Sequence, residues 1–309
     1  MPTGDEEAKA AYPRTFGARL CANMAATDIF MGVFLMSLYE VEKARCTRCG
    51  TCVRLCVAKI IEPDEEQFPF VASSKERYCI RCGQCVSFCP EACNSLEFQT
   101  EELGVVDPGL LPTPEGGETF LRSRRSVRYF KKEGVPRETL KRIFETVRYA
   151  PTASNRQGVR WIVLETRKKT EEMELQIVET FRKALTSLSP EPQHSAMMSY
   201  IVKRWDAGER VIFRGAPQLA VAVVSATEGM SEDGAIALTY LELAAYALGV
   251  GCCWGGFFTH AFRGFPELRK LLEIGEGEHV AGAQMLGFPV VARPRRLPPR
   301  KPVDITWFD

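Results

Sequence analysis

Only three of the 309 residues are histidine, and His194, His260 and His279 stand far apart. That scarcity argues against Ser-His-Asp and histidine-rich hydrolase centres, where an imidazole must reach both a nucleophile and an acid. A lone histidine of this kind is read as structural. No P-loop is present, and no G-x-G-x-x-G follows a predicted strand, so no Rossmann unit is expected. The net charge is only +1, from 40 basic and 39 acidic side chains, which gives no global field toward nucleic acid or an anionic membrane. No run reaches the roughly 18 uninterrupted apolar residues of a spanning helix. Ile29 to Tyr39 is apolar but short and follows Asp28. A secretory leader is set aside too, because no small-residue cleavage site follows that stretch and no Arg-Arg pair precedes it. Neither a membrane nor a nucleic-acid partner is expected, and the expected location is cytoplasmic.

Cysteine is what the chain has in excess: twelve in all, eight of them between Cys46 and Cys89. Most of the chain is poor in cysteine and of ordinary composition, 45% hydrophobic and 26% charged. The cluster therefore reads as thiolate ligands in a reducing compartment, since disulfide scaffolds are short secreted chains. Cys46, Cys49, Cys52 and Cys56 follow C-x2-C-x2-C-x3-C; Cys79, Cys82, Cys85 and Cys89 repeat it, and Pro90 follows. Zinc sites also use CxxC pairs, but they set two pairs far apart. The run resembles that of bacterial two-cluster ferredoxins. Three close thiolates reach three corners of one cubane, and in that arrangement the fourth cysteine of each run serves the other cluster. Two 4Fe–4S clusters are expected: one on Cys46, Cys49, Cys52 and Cys89, the other on Cys79, Cys82, Cys85 and Cys56. Val57 stands where a proline is common. Cys21, Cys93, Cys252 and Cys253 are read as buried structural thiols.

The length suggests two domains. Residues 1–40 are expected to be an N-terminal extension, either disordered or upstream of the true start. Residues 41–100 form the ferredoxin-like domain. Residues 101–118, with Pro108, Pro112, Pro114, Gly104, Gly109, Gly116 and Gly117, are expected to be a linker without a regular element. The body is residues 119–309. There Leu140, Ile143, Phe144 and Val147 recur at helical spacing behind Pro136, and Pro151 closes that helix. Trp161–Leu164, Leu219–Val224 and Ala281–Phe288 read as strands, the second buried on both faces. Asp233 is placed to cap a helix over Ala235–Leu248, apolar nearly all round and hence central, with Gly249 and Gly251 ending it. Helices and strands mix without strict βαβ repeats, which makes the body α+β.

Several stretches are candidates for holding an anionic, planar ligand. Arg124-Arg125-Ser126-Val127-Arg128-Tyr129-Phe130 is a basic cluster with a hydroxyl inside; its ordinary reading is a solvated face. Ala150-Pro151-Thr152-Ala153-Ser154-Asn155-Arg156-Gln157 is a polar loop. Gly251-Cys252-Cys253-Trp254-Gly255-Gly256-Phe257 lets backbone approach a flat ligand, or is simply a tight turn after the helix. Arg293, Arg295, Arg296, Arg300 and Lys301 sit among prolines, or form a basic tail.

In order, these pieces resemble the nitroreductase family of FMN enzymes over about residues 119–309. The RRSxR start, the AP(T/S)xxNxQ loop, Phe213-Arg214-Gly215-Ala216-Pro217, the GxGxxWGG turn and the LGFP strand all occur. The resemblance implies a nitroreductase-like sheet flanked by helices, and a homodimer with FMN at the subunit interface and terminal segments wrapped around the partner. It implies FMN contacts from Arg124, Arg125, Ser126 and Arg128. Thr152, Ala153, Asn155 and Gln157 would come from the other subunit, and Cys253, Trp254, Gly255 and Gly256 would flank the ring. The Gly255 N–H would approach N5 with Gly256 nearby. Arg300 would complete the phosphate grip, with Lys301 as the alternative. Many relatives carry an acidic residue at the position of Gly255. Trp254, Phe257 or Phe258 would line the substrate space or pack in the core.

The function expected is an FMN oxidoreductase receiving electrons through its own clusters. Its substrate would be an electron-poor small molecule of nitroaromatic, quinone or enone type, and its donor a redox protein or NAD(P)H. No side chain is assigned a catalytic role, because the flavin carries the chemistry. The competing reading is an electron-relay or redox-sensing module without a dedicated small substrate.

Overall fold

The computed structural model describes residues 37–99, 103–187, 192–227, 229–291 and 293–308. The expected extension lies outside the described residues up to position 36, and Cys21 with it.

The two cysteine runs fold as a repeat. Strand β1 (Tyr39–Val41), helix α1 (Thr51–Leu55), β2 (Ile61–Pro63), β3 (Pro69–Val71), helix α2 (Gln84–Ser87) and β4 (Asn94–Leu96) follow in order. β1 pairs antiparallel with β4, and β2 with β3. Each run reads C-x-R-C-G before its helix. Arg48 and Gly50 have φ of 57° and 69°, and Arg81 and Gly83 repeat this with 56° and 70°. Left-handed backbone folds the chain back so that successive cysteines face a common centre; glycine takes it freely and arginine at a cost of about 1–2 kcal/mol. The guanidiniums of Arg48 and Arg81 each lie 4.3 Å from an aromatic centroid, Phe68 and Phe98 respectively. A small core of Tyr39, Ile60, Ile61, Val71, Val86 and Leu96 joins the halves.

The stretch expected to be a featureless linker departs from that expectation. Helix α3 (Pro114–Ser123) begins inside it. Thr113 caps the helix, its Oγ1 accepting from Gly116 N–H at 3.1 Å, and Pro114 takes the first turn, where its missing N–H is harmless. Cap and proline together outweigh the two glycines that follow.

The body contains α4 (Arg137–Val147), β5 (Val159–Leu164), α5 (Arg167–Ser187), α6 (Pro192–Asp206), β6 (Gln218–Ser225), α7 (Ser231–Ala247), β7 (Gly251–Trp254), α8 (Gly256–Gly264), α9 (Pro266–Arg269) and β8 (Glu278–Gly287). The sheet order is β5-β6-β8-β7, antiparallel throughout. β6 is continuously apolar because both of its faces are covered. Leu219, Val221 and Val223 pack with residues of α5, α6 and α8, while Ala220 packs with α4 and α7. Fully burying such side chains contributes about 1.5–3 kcal/mol each. Helix α7 lies hard against the sheet: a Cβ on Gly234 would sit 2.2 Å from Ala281 Cβ. This is the expected α+β arrangement of a sheet between helices.

Two boundaries shift from expectation. Helix α7 starts at Ser231, with Asp233 inside its first turn, where Oδ2 accepts from Met230 N–H at 3.0 Å. Gly249 ends it with φ of 74°, but Gly251 already belongs to β7, so the glycine-rich run is a strand first and a turn only after Trp254.

Candidate functional site

The thiols divide into two sets. Cys46, Cys49, Cys52 and Cys89 line a cavity of about 200 Å³, with Cys93 beside them. Cys56, Cys79, Cys82 and Cys85 line a narrower one of about 30 Å³. These are the crossed sets expected from spacing, each run lending its last cysteine to the other. All are free thiols. Among the described residues no three Cys, His, Asp or Glu side chains close on a single metal ion. The thiols stand around a space instead, as the ligands of a polynuclear cluster do. Burial, then the neighbouring Cys82, pushes the Cys85 thiol up to about 12. Burial and the hydrogen bond with Cys89, Sγ to Sγ 3.5 Å, push Cys93 up to about 12. A metal binds such groups as thiolates, displacing their protons into solvent.

The second site begins with the basic segment after α3. Val127 N–H donates to Cys252 O at 2.7 Å and Lys131 N–H to Phe288 O at 2.8 Å, so the segment runs along the ends of β7 and β8. Gly251 is needed for that approach, since a Cβ there would meet Val127 Cγ2 at 2.6 Å. Neighbouring strand residues face opposite ways, and β7 accordingly separates two cavities. Cys252 lines one of about 160 Å³ with Arg124, Arg125, Glu242, Tyr246 and Arg293. Cys253 lines one of about 450 Å³ with Arg128, Arg214, Trp254, Gly256 and Phe257.

Three guanidiniums thus share the smaller cavity with one carboxylate, and two guanidiniums line the larger without one. Arg124 Nη1 meets Glu242 Oε1 at 2.7 Å, both side chains largely buried. Gln284 Nε2 lies 3.5 Å from Glu242 Oε2, and Gln284 Oε1 is buried without a partner among the described residues. Arg128 and Arg214 have no ion pair among the described residues. Arg214 holds φ of 53°, followed by Gly215 at 69°. The buried Glu174 fixes this turn, its Oε1 accepting from Ile212 N–H at 3.1 Å and Phe213 N–H at 3.2 Å. Burial raises the Cys253 thiol, and Arg128 and Arg214 work against that rise. Helix α8 opens on the larger cavity with Gly256 and no side-chain cap, which leaves N–H groups and the positive end of the helix dipole there. The donor set fits an elongated ligand, anionic at one end and planar with polar edges at the other.

The expected residues are only partly gathered. Arg124, Arg125, Arg128, Cys253, Trp254 and Gly256 line these cavities, with Ser126 between them. The Gly255 N–H, expected to face the ligand, instead donates to Ala283 O at 2.8 Å, so Gly256 offers the first open amide. Arg300 and Lys301 stay exposed, and among the described residues Arg300 bonds only to Pro299 O at 3.1 Å. Arg293 lines the smaller cavity with Arg124 and Arg125. A signal for it exists in the sequence: it is the first basic residue after the last strand, whose exit is tied to the basic segment by Val290 N–H to Tyr129 O at 3.0 Å. Glu242, Tyr246 and Arg214 were missed because helix and strand periodicity do not report on them. Phe258 is fully buried, stacked on Phe262 at 4.2 Å, and lines no cavity. His260 borders the larger cavity and His279 Nε2 lies 2.9 Å from Ser231 Oγ, while the side chain of His194 lies outside the described residues.

Thr152, Ala153, Asn155 and Gln157 lie elsewhere on the chain. Ala153 N–H donates to Asp233 Oδ1 at 2.8 Å, pinning the loop to the start of α7. Thr152 and Gln157 line a separate cavity with Trp161. Tyr246, beside Arg124, is near the other end of α7, and the rise from Asp233 to Tyr246 is roughly 20 Å at about 1.5 Å per residue. Within one chain, therefore, this loop and the arginines of the basic segment are not brought together.

Comparison with known proteins follows the same division. The family model described as the nitroreductase family matches residues 121–288. A second, described as a 4Fe-4S dicluster domain, matches residues 45–94. No curated protein matches the chain. Among solved structures, a nitroreductase with bound FMN from Bacteroides fragilis is 22% identical over 62% of this chain and 98% of its own, with a TM-score of 0.49. Another, with bound FMN, from Desulfitobacterium hafniense is 26% identical over 62% and 97%, with a TM-score of 0.48. An iodotyrosine deiodinase bound to FMN and 3-iodo-L-tyrosine is 19% identical over 62% and 98%, with a TM-score of 0.46.

Proposed function

The chain belongs to the nitroreductase family, its 4Fe–4S dicluster domain preceding the family domain, and from that premise we propose that it is an FMN-dependent oxidoreductase working as a homodimer. It exchanges electrons between two clusters and an electron-poor small molecule of nitroaromatic, quinone or enone type, with a redox protein or NAD(P)H as the outside donor. The observation that carries the reading is the coexistence, in one chain, of two crossed thiol-lined cavities and, on either side of β7, two further cavities that five arginines line between them.

When bound, FMN supplies hydride and one-electron chemistry, and the clusters supply single electrons. The chain positions and excludes water. Arg124, Arg125 and Arg293 hold the phosphate end, with Arg293 in the role first expected of Arg300 or Lys301. Arg128 and Arg214 stabilise negative charge at the polar edge of the ring, by an attraction that strengthens as water is excluded. Gly256 N–H orients the ring, and Trp254 and Phe257 offer an apolar wall to a flat substrate.

The dimer supplies what one chain lacks. Thr152, Ala153, Asn155 and Gln157, remote from Arg124 on their own chain, complete the site of the partner. The C-terminal segment favours the same assembly. Residues 297–308 form no helix or strand, and Trp307 and Phe308 are 80% and 93% exposed. Apolar side chains presented together on such an arm need a covering surface.

Protein purified without oxygen is expected to contain iron, sulfide and FMN, and to be reoxidised quickly by one class among nitroaromatics and quinones. Arg124→Ala is expected to lower FMN content and leave iron unchanged. A colourless or zinc-bearing protein without flavin would overturn the proposal; reoxidation only by a redox protein would replace it with an electron relay.

A further inference from the structure

Asn155 joins the two modules. Its Nδ2 donates to Arg81 O at 2.9 Å and to Ile80 O at 3.3 Å. These are the hydrogen bonds that cross from residues 37–99 to the family domain among the described residues. Both sides of the contact are built for it. Ser154, Asn155 and Gln157 hold φ of 52°, 53° and 53°, conformations that non-glycine residues keep only where the surroundings impose them. Ala153 is tied to the buried Asp233.

On the other side, Arg81 also holds left-handed backbone, and its own N–H donates to Cys79 Sγ at 3.4 Å. One residue therefore bonds a cluster thiol through its N–H and Asn155 through its carbonyl. The first repeat is the internal control. Arg48 has the same φ and the same aromatic stacking as Arg81, yet no side chain of the family domain bonds its carbonyl among the described residues. Cys49 of that first set is exposed.

We propose that this contact is the electron junction of the protein: the cluster on Cys56, Cys79, Cys82 and Cys85, and not the other, exchanges electrons with the flavin, and Asn155 is the positioning residue that docks it. The inference rests on the function proposed above, because loop 152–157 is there a wall of the flavin site. Each event takes one electron from the reduced cluster and adds one to the flavin, with no bond made or broken. Two events move the electron pair that a flavin carries, and a low-potential one-electron donor reloads the clusters.

The test uses the full-length holoprotein, prepared without oxygen, as wild type, Asn155→Ala and Asn155→Asp. Iron and FMN are quantified first. Dithionite then loads the clusters, and flavin bleaching is followed by stopped flow. Deuterium uptake of a peptide covering residues 79–83 reports the contact independently of turnover. With rates compared per bound FMN, Asn155→Ala is expected to slow bleaching at least roughly tenfold, the equilibrium worth of one of its two hydrogen bonds at about 1.4 kcal/mol. Asn155→Asp, which sets a carboxylate against two carbonyl oxygens, is expected to slow it further. Uptake over 79–83 should rise in both. Wild-type bleaching with faster uptake would overturn the junction. So would loss of FMN with unchanged uptake, because Asn155 would then serve the flavin alone. Wild-type protein lacking iron or FMN would overturn the proposed function itself, and this inference with it.

Discussion

Gly282→Ala is the sharpest perturbation that the packing offers. A Cβ at 282 would lie 2.5 Å from Trp254 Cζ2, 2.6 Å from Trp254 Cη2 and 2.7 Å from Leu238 Cδ1. Contacts that short do not persist, so a neighbour has to move. Leu238 is fully buried between α7 and the sheet, whereas Trp254 is 42% exposed. The indole therefore gives way. Pushing a side chain about 30° off its rotamer costs about 0.5–1.5 kcal/mol and overpacking a core about 1–3, so the expected loss of stability is about 1–2 kcal/mol. The site suffers too, because Trp254 is one of the residues that line the cavity of Arg128 and Gly256, and a shifted indole disturbs that wall. FMN affinity is expected to fall about tenfold. Urea midpoints by circular dichroism, the near-ultraviolet indole band and an FMN titration check the three consequences. Trp254→Phe in the same chain frees the space and should recover most of the lost stability. A Gly282→Ala protein with wild-type midpoint and indole band would refute the reasoning. So would a loss above about 4 kcal/mol, which would mean that the strand moved and not the ring.

Two further outcomes follow from the buried groups. Burial raises the Glu174 carboxyl above its ordinary 4.5, against the opposing Phe213 N–H and Arg210. The folded chain then keeps a proton that the unfolded chain has released. The associated stability is complete below the unfolded value and is lost as pH rises through the raised folded value. Glu174→Gln, whose Oε1 can still accept both N–H groups, should gain in urea midpoint relative to wild type as pH rises above the ordinary 4.5; parallel curves would refute this. Cys93→Ser is expected to retain full iron, since four other thiols line its cavity, while Cys89→Ser should lose about half. Equal losses would make Cys93 a ligand.

What was legible in the sequence is what local pattern dictates. The grouping of the cysteines into two crossed sets was implied by the resemblance of their spacing to that of two-cluster ferredoxins. The strands Leu219–Val224 and Ala281–Phe288 and helix α4 follow from period and apolarity. The resemblance carried Arg124, Arg128 and the loop at Thr152 further than composition could. Legibility failed where two distant segments decide the outcome. Arg293 lines the cavity of Arg124 because the exit of β8 is hydrogen-bonded to Tyr129, a contact with no local signature. Gly255 loses its expected role because β8 presents Ala283 O to its N–H. Helix α3 was missed because a count of prolines and glycines ignores their order. Thr-Pro at a helix start is stabilising, whereas the same residues scattered are not. Asn155 shows the same limit: its identity was read as a ligand contact, and its partners Ile80 and Arg81 lie in a different module.

The position of Asn155 also bears on how the modules are wired. Each dicluster domain leads through α3 directly into Arg124 of its own chain, so sequence order suggests that it serves the flavin held there. The docking contact says otherwise. It falls on the loop pinned by Asp233, at the far end of α7 from the Arg124–Glu242 pair. In the dimer proposed above, that loop walls the site whose arginines belong to the partner. Each cluster pair would then exchange electrons across the subunit boundary, and the covalent tether would act as an anchor that sets effective concentration rather than as the electron path. Such wiring makes assembly a condition of electron transfer. A lone chain would hold reducible clusters and half a flavin site, with no flavin at the junction, and so would have little means of passing electrons to a flavin of its own.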